Sequence, residues 1–300
     1  MKFGVNISGL FSDLQRYCGD AQGRKVQIEE VFDLVKEAGF DCVDFGFGFL
    51  ADSLTDEEYF AYIKRCKEYL DKIGLEVSQT HGKTGYLKAP STEYIIQRAI
   101  REIKATAMLG CKYIVIHPLR TLESNYGLDK EKRMAENIEF FKRLQPYLEQ
   151  YGVVECIENL FGEDKERGTS VPNTCSTPEE ILWYIDQLKS DRFEICFDTG
   201  HMLLTGDYTG DTIPDAIRKF GSHIKVVHVH DNNKIKDKHL LPFMGVTDWA
   251  EVAKALKEIN YQGVMSLEII VHRIIGKLNK HAITEYLKLA RRLADIEKIA

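Results

Sequence analysis

Long apolar runs are missing from this 300-residue chain: no stretch reaches the roughly 20 uncharged residues that a membrane helix requires. The residues after Met1 also lack the apolar segment of a signal peptide, so a soluble cytoplasmic protein is expected. Cysteine pairing signals are missing as well. Cys18, Cys42, Cys66, Cys111, Cys156, Cys175 and Cys196 make an odd number without a Cys-x-x-Cys pair, and they read as small hydrophobes in a reducing compartment. Positive charge is in deficit, with 40 Lys and Arg against 46 Asp and Glu and a formal net charge of −6, which disfavours nucleic acid as a partner. No Gly-x-Gly-x-x-Gly follows the first apolar segment, so the usual sign of a dinucleotide fold is absent. No Pro/Gly/Ser-rich tract marks a linker, and residues 1–300 are expected to form one domain.

What the chain does have is a recurring junction in which an amphipathic helix ends, a glycine follows and a short apolar run begins. It occurs at Ala38-Gly39-Phe40, Ile73-Gly74-Leu75, Leu109-Gly110-Cys111, Tyr151-Gly152-Val153 and Gln262-Gly263-Val264. A glycine there can adopt the left-handed conformation that leads the backbone out of a helix. Reading outward from these junctions predicts eight strands, near 3–7, 42–45, 77–80, 113–117, 153–158, 194–198, 224–228 and 264–269. Thr55-x-x-Glu58 and Thr177-Pro178-Glu179-Glu180 predict capped helix starts, and Pro146 predicts a kink or restart in a helix over about 130–151. Eight strand–helix units with nearly continuous apolar strands point to an α/β fold, a (β/α)8 TIM barrel, with an open doubly wound sheet as the alternative.

Chemistry in such a barrel collects where the strands end. The ends carry His81, His117, Glu158-Asn159, Asp198-Thr199-Gly200-His201, His228-Val229-His230-Asp231 and Glu268, with Asp44 near the end of the second strand. Five of nine histidines stand there and His239 lies in the loop after the seventh strand, whereas His223, His272 and His281 read as surface or loop residues. Glu158, Asp198 and Glu268 each close an apolar strand where an unpaired carboxylate is costly, and no Lys or Arg stands at a neighbouring end. Glu158, Asp198, His228 and Glu268 are therefore expected to hold one divalent metal, Mn2+ foremost, with Mg2+, Co2+, Fe2+ or Zn2+ as alternatives. His230 reads more simply as a hydrogen-bonded barrel histidine.

At these residues the chain resembles the xylose-isomerase-like barrel superfamily, which includes sugar and sugar-phosphate isomerases and epimerases, inosose dehydratase and the endonuclease IV group. The resemblance covers essentially the whole chain. It is carried by Glu158-Asn159, by Asp198-Thr199-Gly200-His201-Met202, by His228-x-x-Asp231 followed by Asp237-x-His239-Leu240, and by Ser266-Leu267-Glu268-Ile269. It implies that Glu158, Asp198, His228 and Glu268 are the shared ligands and that His201 contacts substrate. In the endonuclease IV group, positions matching His81, His117, His201, Asp237 and His239 complete a three-zinc cluster. Two departures stand out. The loop reading Pro242-Phe243-Met244-Gly245-Val246-Thr247-Asp248-Trp249 replaces a Gly-x-Gly pattern, and Lys234 stands where ketose 3-epimerases often have arginine.

The expected function is a divalent-metal-dependent isomerase or epimerase of a small sugar, sugar phosphate or polyol, working through a metal-stabilised enediolate. Glu158 and Glu268 would move the carbon-bound proton and His201 the hydroxyl proton, while His81, His117, His201, Asp237, His239 and Trp249 are candidate substrate contacts. Alternatives are a lyase or dehydratase of the same superfamily, resembling inosose dehydratase or C-glycoside-cleaving relatives with a small partner subunit, and a trinuclear zinc phosphodiesterase of the endonuclease IV kind. The expected partner is a small carbohydrate. The chain could also form a homo-oligomer.

Overall fold

Short parallel strands cannot satisfy their edge N–H and C=O groups alone, and here they do so by closing on one another. A computed structural model describes residues 1–18, 25–84, 90–119, 130–164, 166–271 and 280–299. Its strands are β1 (Lys2–Asn6), β2 (Cys42–Gly46), β3 (Glu76–His81), β4 (Tyr113–Val115), β5 (Val154–Glu158), β6 (Gly162–Asp164), β7 (Thr169–Val171), β8 (Phe193–Asp198), β9 (Ile224–Val229) and β10 (Val264–Leu267). Eight of them form a closed barrel in the order β1-β10-β9-β8-β5-β4-β3-β2, while β6 and β7 pair as an antiparallel hairpin. The ring is sealed by the parallel pairing of Lys2 with Val264 through Val5 with Leu267. The helices are α1 (Ile7–Cys18), α2 (Ile28–Glu37), α3 (Asp56–Ile73), α4 (Thr92–Met108), α5 (Lys130–Tyr151), α6 (Pro178–Leu188), α7 (Thr199–Thr209), α8 (Ile213–Phe220), α9 (Trp249–Glu258), α10 (Lys280–Leu293) and α11 (Ile296–Ile299). This is the (β/α)8 arrangement, and no described helix is long and apolar enough to cross a membrane.

The junction signal holds in four of its five instances: Gly39, Gly74, Gly110 and Gly152 all have positive φ. At the fifth, Asn260 (φ 54°) takes the left-handed turn, and Gly263 is needed instead for space, because a Cβ there would lie 2.2 Å from the Tyr261 hydroxyl oxygen. The Thr55 capping box is complete, each partner's side chain meeting the other's backbone N–H. At Thr177 only half forms, since Glu180 Oε1 accepts from Cys175 N at 3.1 Å. Helix α5 runs on through Pro146, so the expected restart does not occur; buried Phe140, Phe141, Leu144 and Leu148 anchor the segments on both sides.

Side chains alternate across each strand. One set (Phe193, Ile195, Phe197 and Ile157 among others) packs outward under the helices in the main core. The other fills the barrel centre with Val115, Val154, Cys156, Cys196 and Val226, on which the polar residues of the upper rim stand. Register shifts occur between Val43 and Asp44 and between Ile195 and Cys196, irregularities that re-aim the acidic residues following them.

Glu155 falls on the outward set and is fully buried, with neither carboxyl oxygen hydrogen-bonded, and burial pushes its pKa well up. Below its unfolded-state pKa such a carboxyl adds no ionisation cost, only that of its unpaired neutral oxygens. Above that value the unfolded chain alone loses the proton, so stability falls as pH rises. Glu155→Met should thus stabilise the protein at pH 8 by on the order of 2 kcal/mol, with a smaller gain at pH 4.5, in thermal melts at both pH values. A lower melting temperature at pH 8 would contradict this account.

Candidate active site

Four strand ends bring Glu158, Asp198, His228 and Glu268 together, with one potential ligand atom from each lying within 4.8 Å of the others. Glu158 ends β5 and Asp198 ends β8, His228 is the register partner of Asp198, and Glu268 follows β10, its N–H donating to Val229 O at 3.2 Å. His228 Nδ1 lies 3.1 Å from Glu158 Oε1, 3.6 Å from Glu268 Oε2 and 3.9 Å from Asp198 Oδ2. Its Nε2 lies 3.2 Å from Oδ2 of buried Asp44, which also accepts from Asn6 Nδ2 (3.0 Å) and Gln79 Nε2 (3.1 Å). Asp44 thus stands where a carboxylate behind a ligand imidazole would stand. Asn159 ties two carboxylate-bearing ends together, accepting from Asp198 N at 2.7 Å and donating to Asp198 O at 2.8 Å.

Two further sets adjoin these four. His117 Nε2 lies 2.7 Å and His81 Nε2 3.5 Å from Glu158 Oε2, while His81 Nδ1 meets Gly82 O at 2.7 Å. On the other side, His201, His230, Asp237 and His239 form a second group of four within the same 4.8 Å limit. Asp198 caps α7 by accepting from His201 N at 2.6 Å, and His201 Nδ1 meets Asn159 O at 3.0 Å. His239 Nε2 meets Asp237 Oδ2 at 2.6 Å and its Nδ1 meets Glu268 O at 2.7 Å, which links this group back to β10.

Two residues stand differently from their reading in the sequence. His230 is hydrogen-bonded as expected, with Nε2 3.0 Å from Asp198 Oδ2, but it also belongs to the second group: its Nδ1 has no hydrogen-bond partner and lies 3.9 Å from Asp237 Oδ1. Gly200 makes room for it, since a Cβ there would fall 2.0 Å from His230 Cε1. The spacing of two residues from His228 was the available signal. Trp249, a candidate substrate contact, is buried, with its indole N–H donated to Asp231 Oδ2 at 3.1 Å and its ring against Phe243, so it also braces the loop after β9. His272 lies outside the described residues.

The charge balance shows what this arrangement can accept. Among the described residues the ion-pair partners of Glu158, Asp198 and Glu268 are histidines. Burial would raise the Glu158 carboxyl, but His117, His228 and His201 outweigh it and hold its pKa well below the usual range. Burial likewise opposes charge on the rings, yet the Glu158 carboxylate lifts His81 to about 9, and Asp198 with Glu158 lifts His201 to about 10. His228 is driven well up against its burial by the Glu268 and Glu158 carboxylates. Protonated rings thus supply the positive charge that the carboxylates require, and a divalent cation held by carboxylate and imidazole fits the same place. The donor set contains oxygen and nitrogen ligands suited to Mn2+, Mg2+, Co2+, Fe2+ or Zn2+. Because these rings are charged at pH 7, titrating Mn2+ or Zn2+ into metal-free protein should release protons, and affinity should rise with pH towards 9. Calorimetry in buffers of different ionisation enthalpy checks this; a buffer-independent heat would contradict it.

Comparison with known proteins agrees with this geometry. A D-psicose 3-epimerase of Enterocloster bolteae is 27% identical over 283 residues, covering 90% of this chain and 83% of that protein. A probable endonuclease 4 of Mycoplasmopsis pulmonis is 27% identical over 226 residues, covering 70% and 76%. The crystal structure of the IolI protein with a bound zinc atom superposes with a TM-score of 0.70 at 18% identity, covering 99% of this chain and 97% of that one. The family model of the xylose isomerase-like TIM barrel matches residues 32–295, and the chain belongs to that family.

Proposed function

We propose that this protein is a sugar epimerase or isomerase that requires a divalent cation, Mn2+ foremost, held by Glu158, Asp198, His228 and Glu268. The observation that carries this reading is the convergence of two glutamates from strands three places apart around the barrel on one buried cluster. The epimerase relative and the zinc found in the IolI structure support it. When bound, the cation would polarise a sugar carbonyl and a neighbouring hydroxyl and so acidify the intervening C–H.

The chain's own groups supply the proton handling. Glu158 and Glu268 approach from different strands, so one can remove a carbon-bound proton and the other return one on the opposite face. Glu158 is held as the anion a base must be by the rings around it. His201, its Nδ1 held near Asn159 O and Glu158 Oε1, leaves its other nitrogen for a substrate hydroxyl.

A second reading is favoured by a separate observation. His81, His117 and Glu158 form one potential metal set, and His201, His230, Asp237 and His239 form another, as a trinuclear phosphodiesterase would need. The endonuclease 4 relative supports it, and the net charge of −6 opposes a nucleic acid duplex.

Metal content per chain separates the two, with about one ion expected for the sugar enzyme and three for the nuclease. Glu158→Gln and Glu268→Gln should each lower kcat roughly a thousandfold with native far-UV circular dichroism. His117→Ala should cost less activity than His228→Ala; equal loss with the departure of more than one ion would favour the second reading. A ketose turned over in deuterium oxide should gain deuterium beside the carbonyl. Cleavage of abasic duplex DNA at catalytic rates, with no conversion or exchange in a panel of ketoses, ketose phosphates and inososes, would overturn the sugar reading.

A further inference from the structure

Beyond Glu158 the chain does not pass straight to α6 but first builds the β6–β7 hairpin, which stands against the loop after β9: Ser170 N donates to Ile235 O at 2.8 Å. A cavity of about 340 Å3 lies between the two. It adjoins the active site through two residues. Asp237 lines the cavity and also meets His239 Nε2 at 2.6 Å, and Phe161 lines it while its ring packs 5.0 Å from that of His201.

The lining offers chemistry that the fold itself leaves unused. The Glu163 carboxylate, the Thr169 hydroxyl and the Lys236 ammonium have no hydrogen-bond or ion-pair partner among the described residues, whereas Asp164 is engaged by the turn, its Oδ1 accepting from Glu166 N and Arg167 N at 3.0 Å. A half-buried aromatic face beside convergent donors and acceptors suits the apolar face and ring hydroxyls of a pyranose. Among the described lining residues three carboxylates (Glu163, Asp164 and Asp237) outnumber the Lys236 ammonium, a balance that suits a neutral ligand better than a phosphate.

We propose that this cavity is a second carbohydrate subsite, taking a neutral glycosyl unit joined to the ketose unit that reacts at Glu158 and Glu268. The substrate is then a ketose-containing disaccharide or glycoside rather than a free or phosphorylated ketose. This rests on the sugar reading above, and it specifies where the non-reacting part of the substrate sits.

The test pairs turnover with binding on the full, Mn2+-loaded chain. Lactulose, turanose and palatinose are compared with fructose, psicose, tagatose and their phosphates. The disaccharides should show at least tenfold higher kcat/KM, and Glu163→Gln with Thr169→Val should remove about tenfold of it through KM while leaving free-ketose kinetics within twofold. Saturation-transfer NMR should show contact at the glycosyl protons in the wild type and its loss in the double variant. Equal or higher kcat/KM for free ketoses or for their phosphates would overturn the subsite and leave the sugar reading standing. Glycosyl contact without conversion of any sugar would uphold the subsite and sink the epimerase reading. No saturation at glycosyl protons overturns the subsite whatever the turnover shows.

Discussion

Buried negative charge at the mouth of a closed barrel is the constraint on which the rest of this site depends. Glu158, Asp198 and Asp44 are wholly withdrawn from solvent on ends of strands whose lower halves are apolar. Isolated carboxylates there would give up their charge or unfold the rim. The ring of histidines answers the charge directly, and the placement of each follows from it: His228 between Asp44 and Glu158, His117 and His81 on one Glu158 oxygen, His230 on Asp198. A cation and a set of imidazolium rings are interchangeable solutions to the same electrostatic problem, so a metal bound here would compete with protons.

The barrel was legible in the sequence because its punctuation is local. A glycine that must take positive φ, as at Gly74 or Gly152, is a property of two or three residues, and the strands then follow from apolar runs. The polar ends were legible because a carboxylate closing an apolar strand has few innocent explanations. What sequence did not show depends on partners distant along the chain. The β6–β7 hairpin is stabilised from outside by the loop at Ile235, and Pro146 is carried by the packing of α5. The role of Trp249 turns on Asp231, eighteen residues earlier. His230 looked ordinary because its unpartnered nitrogen meets Asp237 only after the loop has folded back.

The adjoining groups of potential ligands also suggest how one family frame can serve relatives as different as an epimerase and an endonuclease. Glu158 is shared by the four-ligand group and the group with His81 and His117, and Glu268 is tied by its backbone to His239 of the group beside them, so a change in how many ions are held need not move a strand. What differs between such enzymes then lies in what the surrounding loops admit.

Asp231 gives the loop after β9 a particular character. Its two oxygens accept from Asn232 N, Thr247 N, Thr247 Oγ1, Gly245 N and the Trp249 indole, while its backbone pairs with Leu240. Swinging this loop aside would strand five donors around one buried carboxylate. It is built as masonry rather than as a door, and single side chains set into it are the simplest way to vary selectivity along this side.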